Sequence, residues 1–510
     1  MSAGAPLVYI VGAGPGDPSL ISLRGYRCLT RADVVIYDHR VQARLLRWAP
    51  PSAERIDVGR SSQKPLEQDA IALLVAEKAR EGRLVVRLKW GDPFVFDTGG
   101  KEALLLAQHG IPFEIIPGIP AAIAAPAYAG IPVTYPAAGD TLVIIRGAET
   151  ATTDPPDVDW AALAKMDGSL VCYAGPRQLP AIAKALIANG RAQDEPAVLI
   201  RNGTLATQQT TVTTLGELAE AVDERRTSLL IVGAAADLRE HLQWFDKRPL
   251  FGRRVVVTRP REQARELVER LEEAGAEAIE APMVATEPPE DDTMLVEAAR
   301  QAASFDWIVF TTATAVESFL RVLLDGQGDI RTLKGVQLCA IGPSTADRLS
   351  AFGIRPDLAP AEYGIEAIAN ALGGSENARI LIIRPDHVRD VLARHLQDRG
   401  ADVTDVIAYR TVPALDTGHD IYRMLLDGKV DAVTFTSAAT VSQFVELLGP
   451  EQAIDLLKGT IVAAIGPVTA EAAGQLGVAV QVMPVRYDVE ALVDSLIEYF
   501  ADRQALGARR

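Results

Sequence analysis

The second half of this sequence repeats itself. Four blocks recur in the same order, each displaced by 125 or 124 residues. The paired blocks are RRVVVTRPREQARELVERLEEAGAEA at Arg253 and ARILIIRPDHVRDVLARHLQDRGADV at Ala378, FTTATAVESF at Phe310 and FTSAATVSQF at Phe435, AIGPSTADRLSAFGI at Ala340 and AIGPVTAEAAGQLGV at Ala464, and YGIEAIANAL at Tyr363 and YDVEALVDSL at Tyr487. The loops match as well as the apolar residues, which makes chance similarity a poor explanation. The repeat predicts a duplicated α/β unit, and therefore two similar lobes with a cleft between them.

Short apolar runs alternate with helical stretches along the whole chain, for example DVVIYD, RLVVRL, TLVIIRG, SLVCYAG and DWIVFTT. Strands that are buried on both faces and separated by helices indicate α/β layers with largely parallel sheets. At 510 residues the chain is also too long for one hydrophobic core. A boundary is expected in LQWFDKRPLFGRR, where Pro249 and Gly252 interrupt a helix. We therefore predict one domain over residues 1–248 and a second, duplicated domain over residues 249–510.

Charge and composition argue against several classes of function. The net charge is −16 and no basic run occurs, which argues against nucleic-acid binding. Cys28, Cys172 and Cys339 form no C-x-x-C pair and the six histidines are scattered, so we expect neither disulfides nor a metal site. The longest apolar stretch, IIPGIPAAIAAPAYAGIPV, contains four prolines and is not expected to form a membrane helix. The first residues lack the pattern of a signal peptide, and we expect a cytoplasmic protein.

The loop VGAGPGDPSL, residues 11–20, follows the first apolar run and is close to a dinucleotide-binding fingerprint. Asp38 lies roughly where the ribose-binding acid of such a fingerprint belongs, but Asp17 occupies the place of the third glycine. Asp17 followed by Pro18 predicts a helix N-cap. A carboxylate there uses the N–H groups that a pyrophosphate needs and repels its charge. We therefore expect a nucleoside cofactor without phosphates, of which S-adenosylmethionine is the commonest, and not a nicotinamide dinucleotide.

The first half resembles the tetrapyrrole methyltransferases, and most of all the uroporphyrinogen-III C-methyltransferases. The resemblance rests on VGAGPGDP, ADVVIYD, LKWGDPFVF, IPFEIIPGIPAAIAAPAYAGIPVT, RNGT and RPLFGRRVVVTR, which occur in the family order. It implies two α/β lobes with S-adenosylmethionine between them, and a role for Asp38 in moving a proton. The cofactor contacts that the resemblance implies are Gly14, Pro15, Gly16, Gly91, Asp92, Pro93, Phe94, Tyr173, Ala174 and Thr204.

Several positions depart from the family pattern. They are His39 and Arg40 after Asp38 in place of Arg-Leu, Trp90 in place of a glycine, Asp97-Thr98 in place of Gly-Arg, Arg60-Ser61 in place of Lys-Arg, Lys64 in place of a histidine, and Pro120-Ala121 in place of Thr-Ser. Most of these positions would face the tetrapyrrole or the methyl donor. Each lost charge-assisted contact with a substrate carboxylate costs about 1.5–3 kcal/mol. The departures leave two alternatives, an active methyltransferase and a degenerate one kept as a binding or scaffolding module.

The duplicated half resembles uroporphyrinogen-III synthase over its whole length. The resemblance rests on the two AIGPxTA loops, the FTT and FTS strand ends, AYRT at residues 408–411 and the duplication itself. It implies closure of the linear tetrapyrrole hydroxymethylbilane with inversion of its last ring. Each IGPxT loop ends a strand and begins a helix, so we expect outward-facing N–H groups and hydroxyl groups that suit a polycarboxylate. The expected substrate ligands are Thr312, Ser344, Thr345, Ser437 and Thr469, although such residues also serve simply as helix caps.

Tyr409, in the AYRT segment, is the candidate donor of a proton to the departing hydroxyl group, and its alternative role is packing at a hinge. Together the resemblances predict a bifunctional enzyme that makes uroporphyrinogen III and methylates it with S-adenosylmethionine toward precorrin-2. The alternative is an active synthase fused to a degenerate methyltransferase domain. The expected partners are tetrapyrrole substrates, and the methyltransferase likeness implies a homodimer.

Overall fold

The strands of the described residues assemble into four separate sheets. The computed structural model describes residues 7–59, 67–147, 152–175, 177–221, 228–326, 328–360, 365–372, 377–386, 391–414 and 418–507. The chain divides into unit 1, which comprises residues 1–254, 271–277 and 500–510, and unit 2, which comprises residues 255–270 and 278–499. Within the described stretches, no helix combines the length and the apolar character that crossing a membrane requires.

Lobe 1 covers residues 7–116 and contains a parallel sheet. Its strands are Val8–Gly12 (β1), Val34–Tyr37 (β2), Glu54–Asp57 (β3), Val85–Lys89 (β4) and Phe113–Ile116 (β5), and its helices are Leu23–Leu29 (α1), Ala43–Leu46 (α2), Gln68–Arg80 (α3) and Gly99–Gln108 (α4). The strand order is β3-β2-β4-β1-β5. Alternate residues of the apolar strands enter opposite cores: Ile10 packs with α3 and α4, whereas Val11 packs with α1 and α2. The strands are apolar on both faces because helices cover both.

Lobe 2 covers residues 121–242 and contains a mixed sheet. Its strands are Leu142–Arg146 (β6), Ser169–Ala174 (β7), Pro196–Arg201 (β8), Gln209–Thr214 (β9) and Ser228–Val232 (β10), and its helices are Ala121–Tyr128 (α5), Trp160–Ala164 (α6), Leu179–Ala188 (α7), Leu215–Glu220 (α8) and Arg239–Leu242 (α9). The strand order is β6-β7-β10-β8-β9, and only β6 and β7 of these neighbours run parallel. Helix α5 packs on one face of the sheet, and α7 and α8 pack on the other.

The remaining strands and helices form lobes 3 and 4. The strands are Arg254–Val257 (β11), Glu277–Glu280 (β12), Val284–Glu287 (β13), Trp307–Phe310 (β14), Gln337–Ala340 (β15), Arg379–Pro385 (β16), Asp402–Pro413 (β17), Ala432–Phe435 (β18) and Ile461–Ala464 (β19). The helices are Arg261–Glu273 (α10), Thr293–Arg300 (α11), Ala313–Asp325 (α12), Pro343–Ala351 (α13), Ile365–Ala371 (α14), Val391–Gln397 (α15), Gly418–Leu426 (α16), Ala438–Leu448 (α17), Pro450–Leu457 (α18), Pro467–Gln475 (α19) and Val489–Gly507 (α20).

Lobes 3 and 4 have equivalent sheets. The order is β12-β11-β18-β19 in lobe 3 and β17-β16-β14-β15 in lobe 4, where β13 adds to β17 in the antiparallel direction. In the sequence repeat, β11 corresponds to β16, β12 to β17, β14 to β18 and β15 to β19. Each lobe therefore combines the first part of one repeat with the second part of the other. The predicted pair of similar α/β lobes is confirmed, but the sequence did not reveal that the repeats exchange halves.

Corresponding phenylalanine pairs show how closely the packing is repeated. Phe310 and Phe319 meet edge to face in lobe 4 with ring centroids 5.6 Å apart, and Phe435 and Phe444 do so in lobe 3 at 5.3 Å. All four side chains are fully buried. In each pair, a ring at the end of a strand contacts a ring on the helix that follows. An aromatic pair of this kind contributes about 0.5–1.5 kcal/mol beyond the burial of its area.

We expect Phe444→Ala to lower the free energy of unfolding of lobe 3 by about 3–5 kcal/mol, because it leaves a cavity beside Phe435. Chemical denaturation of the full chain, followed by circular dichroism, measures the change. The control is Val485→Ala, at a residue 95% exposed, which should change stability by less than about 0.5 kcal/mol. Equal midpoints for the two variants would contradict the packing described here.

Candidate functional site

The glycine loop of lobe 1 ends at an aspartate cap. Asp17 Oδ1 accepts hydrogen bonds from the backbone N–H of Ser19 at 2.8 Å and from its hydroxyl group at 2.7 Å. Asp17 Oδ2 accepts a hydrogen bond from the hydroxyl group of Tyr128 at 2.9 Å. Burial and the neighbouring Asp17 raise the pKa of Tyr128, so this phenol keeps its proton. The predicted N-cap is confirmed, although the turn that it caps, Pro18–Leu20, is a 3-10 turn and not an α-helix.

Glycines let the strand ends of lobe 1 approach one another closely. A Cβ atom at Gly118 would lie 2.1 Å from the carbonyl oxygen of Gly91, and one at Gly12 would lie 2.5 Å from the Gly118 Cα. Gly14 and Gly91, both with positive φ, exchange N–H to carbonyl hydrogen bonds of 3.2 and 2.8 Å. Asp92 Oδ2 accepts a hydrogen bond from the N–H of Gly118 at 3.0 Å. The loops after β1, β4 and β5 therefore form one backbone platform without intruding side chains.

Thr204 of lobe 2 is held against the glycine loop of lobe 1. Its hydroxyl oxygen accepts a hydrogen bond from the backbone N–H of Asp17 at 2.9 Å, and its own N–H donates to Gln208 Oε1 at 2.8 Å. A Cβ atom at Gly16 would lie 2.8 Å from the same hydroxyl oxygen. The buried Thr204 thus joins the two lobes through the glycine loop.

A cavity of about 750 Å³ lies between lobes 1 and 2. Asp38 lines it, together with five of the predicted cofactor contacts, Pro15, Gly91, Asp92, Tyr173 and Ala174. The other five, Gly14, Gly16, Pro93, Phe94 and Thr204, belong to the same loops but are not part of the lining. The ten cofactor contacts stay a prediction, and five of them line this cavity.

Three arginines that were not among the predicted site residues also line this cavity: Arg40, Arg146 and Arg201. Arg146 ends β6 and Arg201 ends β8. A basic residue at the end of an apolar run could therefore have indicated these two cavity residues from the sequence. The departures at residues 97–98 remove a basic residue of the family pattern, but the cavity still contains positive charge. The departures at Arg60, Ser61 and Lys64 lie outside the described residues.

Trp90 forms the cavity wall next to the glycine loop. Its indole N–H donates a hydrogen bond to the carbonyl oxygen of Pro15 at 2.9 Å. The guanidinium of Arg40 lies 5.4 Å from the centre of the indole ring, a cation–π contact. All three residues line the cavity. The ring therefore occupies space beside the loop that a glycine would leave open.

A buried charge cluster holds Asp38 in place. Arg87 donates from Nη2 to Asp38 Oδ1 at 2.7 Å and from Nε to Glu102 Oε2 at 3.0 Å. Lys89 Nζ donates to Glu102 Oε1 at 2.8 Å and lies 3.0 Å from Asp97 Oδ1. Arg87, Lys89 and Glu102 are each 1% exposed. The Asp38 carboxylate therefore has one oxygen fixed by Arg87 and the other 4.0 Å from Lys89.

Mutual attraction keeps Arg87 and Glu102 ionised. Burial lowers the pKa of Arg87, but Glu102 and Asp38 outweigh it and the pKa is raised. Burial likewise raises the pKa of Glu102, but Arg87 and Lys89 outweigh it and the pKa is lowered. Both groups therefore carry their charges at neutral pH, and Asp38 faces a permanent cation.

Tyr409 lies where β17 changes its partner strand. It pairs with β16 in the parallel direction, and the next residue, Arg410, pairs with β13 in the antiparallel direction. The Tyr409 hydroxyl oxygen is 3.2 Å from Thr312 Oγ1, which caps α12 by accepting from the N–H of Ala315 at 3.1 Å. Burial raises the pKa of Tyr409, while hydrogen bonds with Thr312 and Thr314 lower it less. The phenol is protonated at neutral pH and is suited to donate a proton, not to accept one.

Thr314 connects this site with lobe 3. Its hydroxyl oxygen accepts a hydrogen bond at 2.9 Å from Nε2 of Gln263, which lies in the first turn of α10. The start of α10 in lobe 3 therefore meets the start of α12 in lobe 4, beside Tyr409. The sequence analysis missed Gln263 and Thr314, because single polar residues at two helix starts form no motif.

The other predicted substrate ligands fall into two groups. Ser344 and Ser437 are exposed, and Ser437 caps α17 by accepting from the N–H of Thr440 at 3.3 Å. Thr345 and Thr469 are only 2% and 4% exposed. The hydroxyl group of Thr345 donates to the carbonyl oxygen of Ile341 at 2.9 Å. The outward-facing donors expected at these two threonines are thus turned into the protein, and all five roles stay predictions.

Comparison with known families divides the chain in the order that the sequence suggested. Residues 7–219 match the tetrapyrrole (corrin/porphyrin) methylases, and residues 265–494 match uroporphyrinogen-III synthase HemD. Both resemblances are confirmed.

Individual relatives agree with this division. The porphyrin biosynthesis protein HemD of Ruminiclostridium josui is 33% identical over 96% of this chain and 97% of its own length. The S-adenosyl-L-methionine-dependent uroporphyrinogen III methyltransferase of Methanosarcina barkeri is 41% identical over 48% of this chain and 96% of its own. A solved uroporphyrin-III C-methyl transferase from Thermus thermophilus is 34% identical over 45% of this chain and 99% of its own, with a TM-score of 0.39. Because the first of these relatives aligns along both halves, the chain belongs to the family of porphyrin biosynthesis proteins that join a tetrapyrrole methylase to a uroporphyrinogen-III synthase.

Proposed function

We propose that this chain is a bifunctional enzyme of tetrapyrrole biosynthesis. In this proposal, residues 249–510 convert hydroxymethylbilane to uroporphyrinogen III, with inversion of the last ring. Residues 1–248 then methylate that product with S-adenosylmethionine toward precorrin-2. The observation that carries the synthase assignment is the buried Tyr409 hydroxyl group, held by Thr312 at the start of α12.

The synthase step requires a proton donor and a binding site that is closed to water. The Tyr409 hydroxyl donates a proton to the departing hydroxyl group of the bilane, which leaves as water. A pyrrole carbon at the other end of the bilane attacks the cation that remains, and the proton lost as that ring regains its aromaticity returns to the Tyr409 phenolate. The fold of the bound substrate decides which carbon attacks. The Gln263–Thr314 hydrogen bond supports a closed site because it holds the start of α10 in lobe 3 beside the proton donor Tyr409.

The methyl transfer step uses the cavity between lobes 1 and 2. S-adenosylmethionine, when bound, supplies an electrophilic methyl group. The residues present fit this cofactor, because the Asp17 cap excludes a phosphate and the platform of Gly14 and Gly91 leaves room for close approach. Asp38 holds one oxygen on Arg87 and offers the other, Oδ2, to the proton that the substrate carbon loses.

A second candidate is a methyltransferase domain that binds its cofactor but has little activity. Trp90 supports it, because the indole ring occupies the wall of the cavity and is fixed there by the Pro15 carbonyl oxygen. The segment Asp97-Thr98 supports it as well, since it lacks the basic residue of the family pattern and the substrate is a polycarboxylate. We also propose that the protein works in the cytoplasm and forms a homodimer through residues 1–248.

Wild-type protein is expected to convert hydroxymethylbilane to uroporphyrinogen III, and Tyr409→Phe to slow this by about 10- to 100-fold, the range that a general acid supplies. Because the pKa of Tyr409 is raised from 10.0, its deprotonation should cause no loss of rate up to about pH 9. Chromatography of the oxidised type I and type III porphyrins measures the rates.

The control is Tyr422→Phe, at a partly buried tyrosine packed on the lobe 3 core. It should retain the wild-type rate. A wild-type rate in Tyr409→Phe would assign that side chain to packing, and only type I product from the wild type would refute the synthase assignment.

We expect the wild type to bind S-adenosylmethionine in calorimetry and to transfer its radiolabelled methyl group slowly. Loss of two charge-assisted substrate contacts lowers turnover by roughly two to four orders of magnitude. Trp90→Gly should raise methyl transfer because it opens the wall beside Pro15. The matched control is Trp90→Phe, which removes the indole N–H but keeps a ring.

Fast methylation by the wild type would exclude the second candidate, a domain with little activity, and would show that Trp90 does not limit the reaction. The absence of cofactor binding would leave residues 1–248 as a scaffolding module.

A further inference from the structure

Arg259 is a partly buried arginine without a hydrogen-bonding partner. Its Nε atom is shielded from solvent and has no acceptor within the described residues. Burial lowers the pKa of Arg259, and the neighbouring Glu266 opposes this only in part. The guanidinium stays charged at neutral pH, because an arginine pKa starts above about 12. A desolvated cation without an acceptor is costly, so its presence calls for an explanation.

Other unsatisfied atoms in the described part of the chain have ordinary explanations. Side chains that contain such an atom are Arg191, Asp246, Arg259 and Arg348. Arg191 forms an ion pair with Glu195, Asp246 forms one with Arg239, and Arg348 Nε lies 2.6 Å from Glu317 Oε1. Among these four, Arg259 alone makes neither a hydrogen bond nor an ion pair with any described residue.

The sequence repeat provides an internal comparison. Arg259 in TRPRE corresponds to Arg384 in IRPDH, 125 residues later. Arg384 forms an ion pair with Asp405: Nε donates to both carboxylate oxygens at 2.7 and 2.9 Å, and Nη2 donates to Oδ2 at 2.7 Å. The residue that corresponds to Asp405 is Glu280, and the ion pairs of the described residues include none between Glu280 and Arg259. The same arginine therefore has a structural partner in one repeat and none in the other.

The place of Arg259 in the fold associates it with the candidate synthase site. It follows β11, at the carboxyl edge of the lobe 3 sheet, and lies in the segment between β11 and α10. Four residues later, Gln263 donates its hydrogen bond to Thr314 of lobe 4, beside Tyr409. Arg259 thus lies four residues before the residue through which lobe 3 contacts the Tyr409 site.

We propose that Arg259 binds a carboxylate of the linear tetrapyrrole substrate and anchors it between lobes 3 and 4. This inference rests on the proposed synthase function. A guanidinium binds a carboxylate with two parallel hydrogen bonds, and one of these would satisfy the buried Nε donor that has no acceptor among the described residues. The unpaired guanidinium destabilises the free enzyme, and a bound substrate carboxylate would remove this destabilisation. Arg259 would therefore contribute to substrate binding and not to the stability of the folded protein.

The test compares Arg259→Gln with Arg384→Gln in the full-length protein. Arg259→Gln should raise the KM for hydroxymethylbilane by about 10- to 100-fold, the loss expected for a charge-assisted contact, with kcat changed less than about threefold. Its melting temperature should equal or exceed that of the wild type, because no internal partner is lost. Arg384→Gln should lower the melting temperature, because Asp405 loses its cation, and should keep the wild-type KM. Arg259→Lys should recover part of the affinity.

Two results would overturn the proposal: an unchanged KM in Arg259→Gln, or a fall in its melting temperature as large as that of Arg384→Gln. If the wild type forms no uroporphyrinogen III, the proposed synthase function fails, and the anchor is tested by fluorescence titration with uroporphyrin III. In that case binding at least about tenfold weaker in Arg259→Gln retains the carboxylate site, and equal binding refutes it.

Discussion

Parallel strands place all their carboxyl ends at one edge of a sheet, and this constraint decides where the candidate sites of both units lie. In lobe 1, the loops after β1, β4 and β5 meet at such an edge, close enough for Gly14 and Gly91 to exchange backbone hydrogen bonds. In lobe 4, Thr312 follows β14 and meets the Tyr409 hydroxyl at the corresponding edge. The chemistry of each site depends on short polar segments, but their assembly depends on the apolar strands that precede them.

Buried charged side chains occur in two different environments in this chain. In lobe 1, Arg87, Lys89 and Glu102 satisfy one another and Asp38, so that removal of one partner would expose the others as unpaired buried ions. In lobe 3, Arg259 has no such partner. A cluster of the first kind orients the Asp38 carboxylate in the free protein, whereas a cation of the second kind is suited to a ligand that supplies the missing carboxylate.

Several features could be predicted from the sequence because they depend on local rules. Asp17 followed by Pro18 predicts its cap, and the matched blocks predict two similar lobes. The exchange of halves between the lobes could not be predicted, because the repeat shows which strands are equivalent but not which of them pair. The burial of Thr345 and Thr469 also escaped the sequence analysis. A helix that starts after an IGPxT loop can direct its threonine inward or outward, and the packing of the whole lobe decides which.

The charges around the cavity between lobes 1 and 2 affect how strongly the departures from the family pattern would weaken substrate binding. The departures from the family pattern include lost basic residues, and they left two alternatives, an active methyltransferase and a degenerate one. Asp38 and Asp97 are paired with the buried Arg87 and Lys89, and Asp92 is held by backbone N–H groups, so much of their charge is already compensated within lobe 1. Arg40, Arg146 and Arg201 line the same cavity. In the proposed low-activity domain, the Trp90 ring beside the Pro15 carbonyl oxygen therefore adds a steric obstacle to the loss of charge-assisted substrate contacts.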